Sequence, residues 1–229
     1  MFDRGLALIG KDGLARLAAA SIAVCGLGGV GSYIAEVLAR SGIGTLLLID
    51  ADTIAPSNIN RQLCALHSTL GRPKAEIMAE RIADINPACR VEARRIMLTP
   101  GDDYASLFSG TDYIADAIDD LPAKIALIRY AHTRPIPLIS AMGAGRRLDP
   151  TALAVADIAQ TYGCPLARRL RKSLREQGIE QGVQVVFSSE PPRELREGKL
   201  GSMIFVPAAM GLLMASVIVR YLLADLGAE

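Results

Sequence analysis

The stretch from Ser21 to Asp50 constrains the fold of this chain more than any other. Ser21-Ile22-Ala23-Val24-Cys25 is a short apolar run, and Gly26-Leu27-Gly28-Gly29-Val30-Gly31 follows it at once. Ser32 to Arg40 then reads as a helix, and Thr45-Leu46-Leu47-Leu48-Ile49-Asp50 as a second strand. This is a βαβ unit of about 30 residues. Glycines at such a turn let the backbone come close to a phosphate at the helix N-terminus. Asp50 ends the second strand, where a carboxylate can accept hydrogen bonds from ribose hydroxyls. The loop alone suits NAD enzymes, methyltransferase-like folds and ATP users alike.

Further along, helices over Lys74–Ile85 and Pro122–Ala131 alternate with strands over Arg90–Ile96, Asp112–Asp116 and Pro137–Ser140. After Asp149-Pro150, strands over Leu153–Ile158 and Val183–Ser188 flank a basic helix over Pro165–Gln177. The expected fold is α/β and Rossmann-like, a mainly parallel sheet extended by antiparallel strands in the C-terminal half. With 229 residues, one domain is expected, residues 1–150 forming a nucleotide-binding half and residues 151–229 completing the sheet on the substrate side. The composition agrees: 51% of residues are hydrophobic, 4% are aromatic and Trp is absent, which suits helices on a parallel sheet better than a β-sandwich. Glu190–Lys199 is the segment expected to be flexible.

Lys and Arg number 25 and Asp and Glu 24, for a net charge of +1. That balance excludes a polybasic nucleic-acid coat and an acidic disordered tail, but not a local basic patch. The four cysteines, Cys25, Cys64, Cys89 and Cys164, form no CxxC pair, so the spacing of a tetrathiolate zinc site is missing. Cys25 and Cys89 are expected to be buried; Cys64 and Cys164 stand where exposure is open. No apolar signal region follows Met1, and a cytoplasmic protein with reduced thiols is expected. Gly201–Val219 is free of charge and near the length that spans a bilayer. It reads instead as a β-rich run, Met203–Val206, then a buried core helix from Ala208 to about Leu223, with no stable membrane insertion.

The loop after the second strand carries more specific chemistry. Ser57-Asn58-x-Asn60-Arg61-Gln62 sets amides beside a guanidinium, and Gly71-x-x-Lys74 puts an ammonium at a helix start. Arg61 and Lys74 together can neutralise a triphosphate, whereas a dinucleotide rarely needs so much positive charge. Asp116-Ala117-Ile118-Asp119-Asp120 comes at the carboxyl end of a later strand, where ligands of such sheets bind. A carboxylate there can hold a magnesium ion that bridges phosphates.

The ordered set of GxGGxG, Ile49-Asp50-x-Asp52, Ser57-Asn58-x-x-Arg61-Gln62, Gly71-x-x-Lys74, Ile85-Asn86-Pro87 and Asp116-x-x-Asp119 resembles the ubiquitin-activating-type adenylating enzymes, the group of MoeB, ThiF and HesA. The resemblance covers nearly the whole chain. Phe2-x-Arg4, Ala39-Arg40-Ser41-Gly42, Gly143-Ala144-Gly145 with Asp149-Pro150, and Phe187-Ser188-Ser189-Glu190 look closer still to the tRNA threonylcarbamoyladenosine dehydratase branch. The resemblance implies that a substrate carboxylate attacks the α-phosphorus of ATP and that an acyl-adenylate forms. It assigns Gly26, Gly28, Gly29, Gly31, Asp50, Asp52, Asn58, Arg61, Gln62 and Lys74 to nucleotide binding, with Asp50 on the ribose and Asn58, Arg61 and Lys74 on phosphates. It gives magnesium to Asp119, and catalysis to Arg4, Arg61, Lys74 and Asp119. Arg4 matches an arginine that such homodimers lend to the partner's triphosphate. The region from Gly178 to Gly201 looks short beside longer members of the branch.

The partner expected from the resemblance is tRNA. The helix bearing Arg168, Arg169, Arg171, Lys172 and Arg175 can track an RNA backbone, with Arg146-Arg147 extending the patch and Tyr162 the nearest stacking platform. The competing readings are adenylation of the C-terminus of a ubiquitin-like or sulfur-carrier protein, a non-catalytic scaffold or partner of a cysteine desulfurase, and a NAD(P) dehydrogenase. Intact Arg61, Lys74 and Asp119 weigh against the scaffold, and the missing zinc cysteines against the carrier-protein reading. His67 is assigned a structural role.

Overall fold

The structure is a computed structural model describing residues 2–134, 136–194, 201–224 and 226. Its strands are β1 (Ser21–Cys25), β2 (Thr45–Ile49), β3 (Arg90–Arg94), β4 (Tyr113–Asp116), β5 (Leu138–Ala141), β6 (Leu153–Asp157) and β7 (Gln184–Ser188). They form one seven-stranded sheet in the order β3-β2-β1-β4-β5-β7-β6. Every pairing is parallel except β6 with β7. So β7 continues the parallel set, and only β6 supplies the expected antiparallel extension. The order reverses between β1 and β4, which makes the carboxyl ends of those strands a topological switch point.

The helices are α1 (Asp3–Ala19), α2 (Gly31–Arg40), α3 (Lys74–Ile85), α4 (Tyr104–Leu107), α5 (Leu121–His132), α6 (Pro165–Arg175) and α7 (Phe205–Leu223). Strand alternation divides the core. Ile22 and Val24 point to the side of α2, α3 and α7, where Ile34, Leu38, Met78, Met210 and Met214 are buried. Ala23 and Cys25 point the other way, against Phe108, Ala123 and Leu127. A third cluster packs Leu170 and Leu174 of α6 on Val185 and Phe187 of β7.

Two sequence expectations change here. The run Leu14–Ala20 reads from sequence as a helix, but α1 begins at Asp3, a first arm running up to the kink at Gly10 (φ 69°) and a second one after it. Met203–Val206 is not a strand; α7 starts at Phe205 and takes in Pro207. Proline is tolerated in a first helical turn, where its missing N–H would have had no intrahelical partner. Helix α7 is long and apolar enough to cross a membrane by length alone, yet Val206, Met210, Met214, Ala215 and Ile218 are buried within the protein. The expected flexible segment Glu190–Lys199 lies outside the described residues from 195 onward.

Candidate functional site

The glycine loop joins β1 to α2 at the switch point. Gly26 adopts φ 84°, and a Cβ on it would stand 2.7 Å from the Ala117 carbonyl oxygen. One on Gly31 would stand 1.7 Å from the Gly26 carbonyl oxygen. Both contacts are with backbone, so the loop tolerates no side chain there. The Ser32 hydroxyl, missed by sequence reasoning, donates to the Gly28 carbonyl at 2.7 Å and accepts from the Leu63 amide at 3.2 Å. It ties the glycine loop to the segment that carries Arg61.

Asp50 is held by two amides: Leu27 N–H donates to one carboxylate oxygen at 2.6 Å and Asp52 N–H to the other at 2.8 Å. Burial pushes its carboxyl above the ordinary carboxylate range, although Lys74 and these amides pull it down. A bridge pairs Thr53 with Pro73, and the Lys74 amide donates to the Asp52 carbonyl. This brings the start of α3 back to the end of β2. Lys74 is 4% exposed, and its ammonium donates to the Asp52 carboxylate at 2.7 Å. A lysine this buried is paired by necessity.

Arg61 lies over the glycine loop; a Cβ on Gly29 would meet its Cγ at 3.3 Å. Its guanidinium donates to the Ser57 carbonyl at 2.8 Å and to Asn60 Oδ1 at 3.0 Å. Gln62 is buried, with its amide nitrogen beside Gly28. Asn58 Oδ1 accepts from the Ala55 amide at 3.0 Å, so this oxygen holds the loop and only the amide nitrogen is left for a ligand.

The acidic run after β4 is sorted by its surroundings. Asp116 and Lys124 are both 0% exposed. The Lys124 ammonium donates to Asp116 at 2.7 Å, to Ser140 Oγ at 3.1 Å and to the Ala141 carbonyl at 3.1 Å, and Ser140 donates to the same carboxylate at 2.6 Å. Asp120 caps α5 by accepting from the Ala123 amide at 2.9 Å. Asp116 and Asp120 are thus committed to the fold, while Asp119 is exposed between them. No group of three or more His, Cys, Asp or Glu able to hold a metal exists among the described residues. One free carboxylate fits magnesium, which takes few protein ligands and relies on substrate phosphates and water. Lys124 was not singled out from sequence, since a lone helical lysine reads as solvated; its only signal is the apolar company of Ala123, Ala126, Leu127 and Ile128.

Glycine loop, Asp50, Arg61, Lys74 and Asp119 therefore gather at one edge of the sheet. Arg4 does not join them. The Phe2 ring packs on Gly42, which follows the C-terminal end of α2. That helix has 10 residues and is about 15 Å long, so the start of α1 lies at its far end from the glycine loop.

All four cysteines are buried and free, including Cys64 and Cys164, whose exposure the sequence left open. Burial pushes the Cys64 thiol up to about 11. His67 is exposed in a turn. Two members of the expected basic patch are turned inward. Arg147 is buried, its guanidinium donating to the carbonyls of Glu190, Gly143 and Gly145. Arg171 donates to the carbonyls of Ile158 and Thr161.

Comparison with known proteins gives this geometry a family. The ThiF family model matches residues 2–228. The tRNA threonylcarbamoyladenosine dehydratase of Bacillus subtilis is 44% identical over 98% of this chain and 95% of its own length. That of Escherichia coli is 45% identical over 80% of this chain and 71% of its own length. The crystal structure of the Escherichia coli enzyme in complex with ATP superposes with a TM-score of 0.91 at 41% identity, over 98% of this chain and 94% of that one. The chain belongs to the ThiF family of adenylating enzymes, on the branch of the tRNA threonylcarbamoyladenosine dehydratases.

Proposed function

We propose that this protein is an ATP-dependent dehydratase that adenylates the carboxylate of threonylcarbamoyladenosine in tRNA and closes it into a ring. The observation that carries the reading is the meeting of Arg61 and Lys74 with the glycine loop at the switch point, in a chain matched over nearly its full length by dehydratases.

A carboxylate oxygen of the nucleoside attacks the α-phosphorus of ATP, and pyrophosphate leaves with the electron pair of the broken P–O bond. The ureido group of the same side chain then attacks the acyl carbon and loses a proton, and AMP departs carrying the carboxylate oxygen. The net change in the nucleoside is loss of one water. The first step brings two anions together, so the protein's task is positioning and charge neutralisation. Asp50 accepts from the ribose hydroxyls, the glycine loop brings amides to the phosphates, and Arg61 and Lys74 neutralise them. Lys74 exchanges its Asp52 partner for phosphate oxygen. A magnesium ion held at Asp119 supplies further neutralisation of the phosphate oxygens when bound. Ring closure is intramolecular and gains from effective molarity, so it needs no enzyme thiol, in keeping with four buried cysteines. Two chains act as a homodimer in the cytoplasm, each lending Arg4 to its partner's triphosphate.

The test uses purified protein, ATP, magnesium and modified tRNA whose nucleoside carboxylate carries oxygen-18. Mass spectrometry is expected to show the nucleoside lighter by one water and label in the released AMP. An unchanged nucleoside, with pyrophosphate exchange driven instead by the C-terminus of a small carrier protein, would overturn the reading in favour of protein adenylation.

A further inference from the structure

Helix α6 carries a line of cations whose charge the fold does not use. Arg168, Arg169, Lys172 and Arg175 are exposed. Positions 168, 172 and 175 share one helical face, and Arg169 borders it. None of Arg168, Arg169 and Arg175 is paired with a carboxylate among the described residues, and Lys172 has only a loose contact with Glu176 at 3.9 Å, both side chains well exposed. Exposed pairs of that kind hold little energy. Arg171 on the same helix is turned inward onto the carbonyls of Ile158 and Thr161, so structure and solvent divide these cations by position. In a chain of net charge +1, four outward cations within eight residues are a local excess.

An aromatic ring begins this line. Tyr162 is 64% exposed, and it stands edge-on to Phe187 with centroids 5.3 Å apart and planes at 75°. Its neighbour Gly163 adopts φ 67° and lies against the Ser189 carbonyl. The Tyr162 ring is therefore fixed beside the carboxyl end of β7. That is the sheet edge on which the glycine loop and Asp119 lie. From β1 the edge runs through β4 and β5 to β7, three strand spacings or about 14 Å. A short run of nucleotides covers that distance with the reacting nucleoside still attached. Helix α6 then leads away from the edge for its 11 residues, about 16 Å.

Resting on the proposed function, we propose that Tyr162 and the outward face of α6 form the docking surface for the RNA strand next to the reacting nucleoside, Tyr162 stacking a base and Arg168, Arg169, Lys172 and Arg175 following the phosphates. An aromatic platform at the head of a cation line is the arrangement that binds single-stranded RNA. Arg147, buried under this edge, does not take part.

Fluorescence anisotropy of labelled tRNA, read without ATP across a salt series, tests the assignment on the full chain. The variant with Arg168, Arg169, Lys172 and Arg175 all changed to Gln is expected to bind at least about tenfold more weakly and to lower the slope of log affinity against log salt by about 3. Tyr162→Ala is expected to weaken binding about tenfold with the slope unchanged, and Tyr162→Phe to bind like the parent. ATP uptake by calorimetry reports that each variant is folded. Parental affinity and slope in the quadruple variant would overturn the proposal. So would equal loss of tRNA and polyglutamate binding with Tyr162→Ala without effect, which would mark a general site for acidic partners. The measurement does not depend on turnover, so a parent that binds tRNA through this face but dehydrates nothing refutes the proposed reaction alone.

Discussion

Lys74 combines two demands on one side chain, burial at 4% exposure and an ion pair to the exposed carboxylate of Asp52. The pair holds the ammonium at the end of β2, and on the proposed function a phosphate takes the place of Asp52. Lys74→Ala is expected to lower kcat by about 10²–10³, the scale for removing one transition-state charge partner, as measured by AMP release. Asp50 yields a pH signature. Burial raises its pKa in the folded chain, so its contribution to stability is fully present below the unfolded pKa and is lost as pH rises through the folded one. Ribose hydroxyls donate to the ionised form, so affinity for adenosine, which has no phosphate to titrate, is expected to fall as pH drops through that raised pKa. Asp50→Ala should bind weakly at every pH and lose this acid limb; an acid limb persisting in the variant would remove Asp50 from the ribose. Arg61, Lys74 and the glycines were legible because their spacing is tied to backbone demands. Lys124 and the inward turns of Arg147 and Arg171 were not, because whether a cation meets solvent or a carbonyl depends on residues far away in sequence.

Elements are joined by two close devices. Lys124 of α5 binds the end of β4 through Asp116 and the end of β5 through Ser140 and Ala141. Lys124→Met leaves a buried carboxylate unpaired and is expected to cost about 3–5 kcal/mol in urea unfolding. Adding Asp116→Asn should restore much of this; a double variant as unstable as the single one would show that the ion pair is not the cause. The second device is Gly211 of α7, where a Cβ would stand 2.6 Å from the Val30 carbonyl oxygen and 2.8 Å from the Tyr33 Cβ. Gly211→Ala is expected to separate α7 from α2 and destabilise by about 1–3 kcal/mol, against the gain in helix propensity that the same change gives an exposed helix. The central parallel strands β1, β2, β4 and β5 were readable as short apolar runs because both their faces are covered, whereas the edge strand β3 is charged and has no buried residue. The start of α7 was misread because Met203–Val206 has the side chains of a strand, whereas in the fold Val206 is buried and Pro207 stands against Gly29 from within the first turn of the helix, with Phe205 left exposed.

Across the whole molecule, alternation of strands and helices in the sequence was enough to predict a mainly parallel sheet that binds ligands at the carboxyl ends of its strands. Alternation alone did not show that β7 returns parallel to β5 with β6 outside it. Nor did it show where Arg4 lies. With the start of α1 against Gly42, at the far end of α2 from the glycine loop, Arg4 lies away from its own chain's site, and on the proposed function it serves the site of a second chain. Arg4→Ala and Lys74→Ala proteins, each strongly impaired alone, are therefore expected to recover activity when mixed and allowed to exchange, with about a quarter of sites restored by random pairing. A mixture as inactive as its components would confine each site to one chain. The kink at Gly10, which folds the N-terminal arm back toward Gly42, thereby acquires a kinetic meaning. A catalyst that borrows a group from its twin loses specific activity when diluted, so the rate per chain should decline at the concentrations where pairs come apart and recover when the solution is concentrated again.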